Sequence, residues 1–270
     1  MHYRALDNRI VNEHGEPPIK MKNNTLTPTS LIASGLLILL CAWALLFAGK
    51  WLVAEYYANK VNDQIELWDS YGDIYFLEEW EAALDNINRA VVLHENSAEL
   101  HRLKGFLHEW RRVAPYPEDD DLNPMQKLRQ TIQIQTDARQ SALSAYRDSL
   151  ALRPAWPQVW LKVANLKGAL DEFDEEFYNA VERSYDYGRN LDFVQDNLTE
   201  LSVRYFEEIQ MREDLKGLQL DHLAKSLNRG RVHVDLVNRF RLMATLCGQL
   251  LENGYLLTGA AARNCEQALQ

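Results

Sequence analysis

Cysteine and glycine are both scarce in this chain, and neither clusters. The three cysteines, Cys41, Cys247 and Cys265, form no CxxC pair, and the twelve glycines are spread without the tight grouping that cradles a phosphate. HExxH and GxSxG motifs are missing too, so the short signatures of metallopeptidases and serine hydrolases are not present. Positive charge is short as well. The formal net charge is −10, and beyond residue 53 the chain carries 24 basic against 36 acidic residues. Nucleic acid and anionic lipid surfaces are held by basic faces, which removes both as partners of this acidic part. By itself such a charge means solubility.

Apolar residues, by contrast, make up 47% of the 270 residues, enough for a core in one or two domains. Part of that fraction sits in one run, Leu31 to Val53, which has no charge until Lys50. As a helix rising about 1.5 Å per residue it would extend roughly 34 Å, the depth of a bilayer. The run exceeds the roughly 7 to 15 residues of a signal-peptide core and follows a polar tail, so an uncleaved single transmembrane span over 31–53 is expected. Cys41 does not read as a lipidation site, because Leu40 precedes it and the apolar run continues beyond. The tail, residues 1–30, carries Gly15, Pro17, Pro18 and Pro28 without periodicity and is expected to be disordered. Arg4, Arg9, Lys20 and Lys22 precede the span while Lys50 and Lys60 follow it, a weak lean towards an N-terminus in the cytoplasm.

After the span, apolar residues recur at helical spacing and no convincing alternating strand occurs, so the expected fold is all-α. Val61, Ile65, Trp68 and Tyr71 continue one helical face, with Tyr56 and Tyr57 placed for the membrane interface. A helix is expected from about Leu77 to Leu93, and Ser97 offers an N-cap for another carrying Leu100, Leu103, Phe106, Leu107 and Trp110. These first helical hairpins occupy 54–113. The Pro- and Asp-rich stretch 114–124 reads as an acidic loop, and 125–270 as further helices near 172–187, 192–211, 213–227 and 232–252.

The most informative stretch is Ser141 to Leu166. Ala142, Ala145, Tyr146, Ser149 and Leu150 share one helical face, Pro154 stops the helix at Arg153, and Pro157 opens a second helix with Val159, Trp160, Val163, Ala164 and Leu166 on its returning face. The unit is an αα-hairpin. Shifted by 59 residues without a gap, Ala83, Leu84, Ile87, Leu93 and Leu100 fall on Ala142, Leu143, Tyr146, Leu152 and Val159. The pattern of Ala142, Tyr146, Ser149 and Pro154 resembles the tetratricopeptide repeat. In the earlier copy Ala83, Ile87 and Ala90 match, Glu95 replaces the proline, and Gly105 stands at the small-residue position. An offset of 59 in place of the family's 34 implies an irregular array. The resemblance implies a concave face lined by Gln158, Leu161 and Asn165, with Arg102, Phe106 and Glu109 in the earlier copy. Leu161 stands where a peptide-clamping lysine would be wanted.

A short tail, one span, a helical repeat domain with RPAWP after the better repeat, and a late cysteine pair together resemble the VpsP group of polysaccharide-biosynthesis proteins, most specifically over Tyr146 to Glu208. The resemblance implies a role with bacterial exopolysaccharide export machinery, in the inner membrane with the helical domain periplasmic, and partners among the proteins of that machinery. It implies a pathway and no reaction.

Candidate chemistry is thin. His94, His101 and His108 recur every seven residues, which in a helix places them about 10 Å apart, too far to share one ion. Glu118 to Asp121 could bind a hard cation but read as a solvated loop tip. Glu172, Asp174, Glu175 and Glu176 could form a glycosidase pair but suit the start of a helix. Trp80, Trp110, Trp156 and Trp160 could stack on sugars or fill space between helices, with Trp156 the more open case between Pro154 and Pro157. Cys247 and Cys265 are either a disulfide in an oxidising compartment, about 3 kcal/mol in the chain-entropy model, or two buried thiols of a cytosolic domain. The expected function is a membrane-anchored, non-enzymatic scaffold without cofactor or metal. Alternatives are a glycan-binding or glycan-modifying envelope protein, and a quality-control or division-linked repeat protein.

Overall fold

The computed structural model describes residues 28–72, 74, 76–112 and 122–270, so the tail before residue 28 and most of the acidic loop, Glu118 to Asp121 included, lie outside the described residues. Twelve helices and no strand make up the described chain, an all-α fold. Two compact units divide it, residues 1–48 and 49–270. The helix α1, Pro28–Tyr71, begins in the first and supplies residues to the second. Its part from Ile32 is apolar and long enough to cross a membrane, and Ile32, Leu36, Trp43, Leu46 and Phe47 are all exposed.

In the second unit the period changes its partner. Ala54, Ala58, Val61, Ile65 and Trp68 are buried in a cluster with Ala83, Ile87 and Ala90 of α2 (Leu77–Leu93) and Leu100, Leu103 and Leu107 of α3 (Ala98–Trp110). Tyr71, expected on that face, is exposed, because the helix ends there and Gly72 turns away with φ of 74°. Ser97 caps α3 by accepting from the Leu100 amide. Pro124, expected to close the loop, instead opens α4 (Pro124–Leu152): Asn123 and Gln126 form a reciprocal capping box ahead of it. The turns expected separately from Met125 therefore belong to one 29-residue helix.

Pro154 ends α4 as expected, and Trp160 Nε1 donates to the Pro154 carbonyl at 2.6 Å, tying the turn to α5 (Pro157–Ala169). Lys167, on α5, is only 3% exposed. Asp171 takes a left-handed conformation, φ 56°, that folds the chain back so that Glu172 and Asp174 reach the Lys167 ammonium at 2.7 and 2.6 Å. Asp174 also caps α6 (Glu175–Gly188), three residues later than the start expected at Glu172, by accepting from the Glu176 and Phe177 amides.

The helix expected over 192–211 is two: α7 (Asp192–Arg204) and the short α8 (Phe206–Gln210) break at Tyr205, whose ring packs on Phe173 and Phe177. After α9 (Glu213–Arg229), the helix expected over 232–252 is likewise split, into α10 (Arg231–Arg239) and α11 (Met243–Glu252). Arg241, φ 58°, ends α10 with the Arg241 and Leu242 amides bonded back to Asn238 and Val237. A final helix, α12 (Gly259–Ala268), was not expected from the sequence pattern. It is joined to α11 by the Cys247–Cys265 disulfide, whose Cα atoms are 5.3 Å apart.

Each helix from α2 to α9 packs on its successor, and further contacts join α5 to α7, α7 to α9 and α6 to α9.

Candidate functional site

All six residues expected at the concave face, and Trp156 beside them, line one groove of about 770 Å³. Arg102, Phe106 and Glu109 come from α3, while Gln158, Leu161 and Asn165 come from α5, with Trp156 at the preceding turn. Both α3 and α5 pack on α4, which underlies the groove with Ala138, Arg139 and Tyr146, and α7 adds Phe193, Asn197, Glu200 and Arg204. The spacing explains the grouping. Positions 102, 106 and 109 on α3, and 158, 161 and 165 on α5, lie three and four apart and so share a helical face.

Tyr146 joins the two copies. Its hydroxyl donates to Glu109 Oε1, and Lys162 Nζ holds Glu109 Oε2 at 3.0 Å. Burial, with the Glu109 charge beside it, pushes the Tyr146 phenol well above its ordinary pKa of 10.0, so it stays a donor. The two copies also meet where Ser149 Oγ donates to the Ala98 carbonyl at 2.9 Å.

His108 lines the groove, and burial together with the nearby Lys104 lowers its pKa from 6.5 to about 4, leaving a neutral imidazole. His101 lies elsewhere, with Nε2 2.8 Å from the Glu95 carbonyl. Trp156 is 9% exposed, and the guanidinium carbons of Arg153 and Arg102 lie 4.4 and 5.7 Å from its ring centroid. Leu161 is buried, and Asn165 Nδ2 donates to the Leu161 carbonyl within the helix. Glu172, Asp174 and Glu176 surround Lys167, and Glu175 pairs with Arg212 at 2.8 Å. Among the described residues no group of three His, Cys, Asp or Glu is gathered as for a metal ion.

No protein-family model and no curated protein matches this chain.

Sequence reasoning missed Arg139, Lys162, Phe193 and Arg204 at the groove. Lys162 neighbours a named position and is reachable from the helical period. Arg139 and Phe193 were not: one lies on turns of α4 expected to be separate from the hairpin, the other on a helix outside the two hairpins.

Proposed function

We propose that the protein is a membrane-anchored adaptor, without catalytic activity of its own, that holds an extended segment of another protein in the groove of α3, α5 and α7. The observation that carries the reading is the convergence of the corresponding faces of both hairpins on one groove of about 770 Å³. Pockets of such size bind through a few placed polar groups on a preformed wall, and the shared Tyr146–Glu109–Lys162 bonds hold this wall in place.

The tetratricopeptide-like pattern supports peptide docking, and the resemblance to the VpsP group puts the partner among proteins of an envelope polysaccharide assembly or export complex. In this reading α1 crosses the bacterial inner membrane, with the N-terminus cytoplasmic and the helical domain periplasmic. The Cys247–Cys265 bond supports that side, since such bonds persist in oxidising compartments.

The test is affinity purification of the detergent-solubilised chain beside its Asn165→Trp variant, whose indole would fill the groove. Wild type should recover envelope polysaccharide proteins and the variant should lose them at an unchanged unfolding midpoint. Recovery of none in several detergents, or equal recovery by both, would sink the proposal.

A further inference from the structure

The groove reverses the charge of the domain around it. Three carboxylates line it and each already has a groove cation: Glu99 accepts from Arg102 Nε at 2.9 Å, Glu109 from Lys162 at 3.0 Å, and Glu200 from Arg204. A further arginine, Arg139, lines the same wall. Arg139 meets no carboxylate among the described residues; its Nη1 donates only to the Ala169 carbonyl, at 3.3 Å. A cationic groove thus lies on a domain that is strongly acidic beyond residue 53. Complementary potential of this kind selects partners and steers their approach.

One more feature points to a particular polymer. Phe193 stands 66% exposed on the α7 wall, ready to cover an apolar side chain. Sugar stacking is poorly served by the other rings. Trp156 is nearly buried with Arg153 against its ring, and Lys162 Nζ lies 5.1 Å from the Phe106 centroid.

We infer that the occupant is an acidic, extended peptide segment of a partner protein, with a carboxylate on Arg139 and an apolar side chain against Phe193. This rests on the groove-docking reading above and names the chemistry of its ligand. Neutral and basic segments lose the Arg139 contact and meet a repulsive or indifferent wall.

The experiment pans a random dodecapeptide phage library against the full chain in nanodiscs of neutral lipid, then measures the enriched peptides by fluorescence anisotropy. The expected pool is rich in Asp and Glu, and its binding weakens with salt. Arg139→Gln, which keeps a donor for Ala169 without the charge, should lower affinity about tenfold, and Arg139→Lys should recover most of it. A neutral or basic pool, or one indifferent to Arg139→Gln, overturns the assignment. If such a pool is still lost with Asn165→Trp, groove docking stands and only the acidic preference falls. Displacement of the pool by oligogalacturonate at equal carboxylate concentration also overturns it, in favour of an acidic glycan. No enrichment at all removes the ligand class, and equal partner recovery by wild type and Asn165→Trp removes groove docking with it.

Discussion

Tyr146 occupies the space that a side chain on Gly105 would need. A Cβ built at Gly105 would come 2.7 Å from the Tyr146 ring, and the same tyrosine donates its hydroxyl to Glu109 one turn further along α3. The first hairpin can therefore meet the second at this distance only with glycine at 105, and Tyr146 both sets the approach and anchors the groove wall.

Gly105→Ala should destabilise the domain by about 1 to 3 kcal/mol, because overpacking at a rigid contact outweighs the better helix propensity of alanine. Urea unfolding measures it. With Tyr146→Leu in the same chain the extra cost of the alanine should shrink, so the two changes should be non-additive. Additive effects would mean that the ring does not set the approach.

Acid should loosen the α5–α6 turn. The Lys167 ammonium, and for Glu176 first of all Arg147, hold the Glu172 and Glu176 carboxyls below the ordinary 4.5, and Asp174 sits below 3.8 because Lys167 and the Phe177 amide outweigh its burial. Groups with lowered folded values stabilise the fold above the ordinary carboxylate range and lose that contribution as pH falls through the lowered values. Wild type should therefore lose stability below about pH 4.5, and Lys167→Met should lose less of it over the same range. Parallel pH profiles for the two proteins would refute the assignment.

Groove binding should be insensitive to histidine titration near neutrality. His108 is neutral down to about pH 4, so affinity for any groove ligand should be flat between pH 6 and 8, and His108→Gln should leave that profile unchanged; a step near pH 6.5, the unfolded histidine value, would contradict this.

Reduction should release α12 before the rest. The Cys247–Cys265 bond closes a loop with a sequence separation of 18, worth about 3 kcal/mol in the chain-entropy model. Paired Cys247→Ala and Cys265→Ala changes should lower the unfolding free energy by about that amount, and hydrogen exchange after reduction should rise first across Gly259–Ala268. Uniform acceleration would argue that the bond secures the whole domain.

Trp156→Ala should cost about 3 to 5 kcal/mol as a truncated core residue, since the ring is 9% exposed and sits in the cluster of Val159, Leu161 and Leu150. Thermal unfolding followed by circular dichroism checks it. A loss under 1 kcal/mol would return Trp156 to the surface role of an open aromatic corner.

Much of this architecture was legible along the chain. The 31–53 run, the caps at Ser97 and the prolines at 154 and 157, and the faces of α2 to α5 follow from hydrophobic period and backbone chemistry, which act within a few residues of one helix. The six α3 and α5 positions of the groove came instead from the resemblance to the tetratricopeptide repeat, whose pattern carries a concave face. The long α4 was not legible, because the Asn123–Gln126 capping box lay hidden behind an acidic, proline-rich stretch. Breaks at Tyr205 and Arg241 were hidden too: Tyr205 packs on Phe173 and Phe177 from another helix, and Arg241 is a non-glycine residue in a left-handed turn.

By itself, then, the sequence determined an all-α chain with one apolar helix long enough for a bilayer and two related hairpins, since local periodicity and capping suffice for those. Only the tertiary structure decided how close the hairpins come, through Gly105 and Tyr146, and which charges pair. Lys167 found three carboxylates because Asp171 turns the chain back, and Arg139 found none among the described residues. Those outcomes depend on where distant segments return in space, and a helical period carries the direction of a face but not what that face will meet.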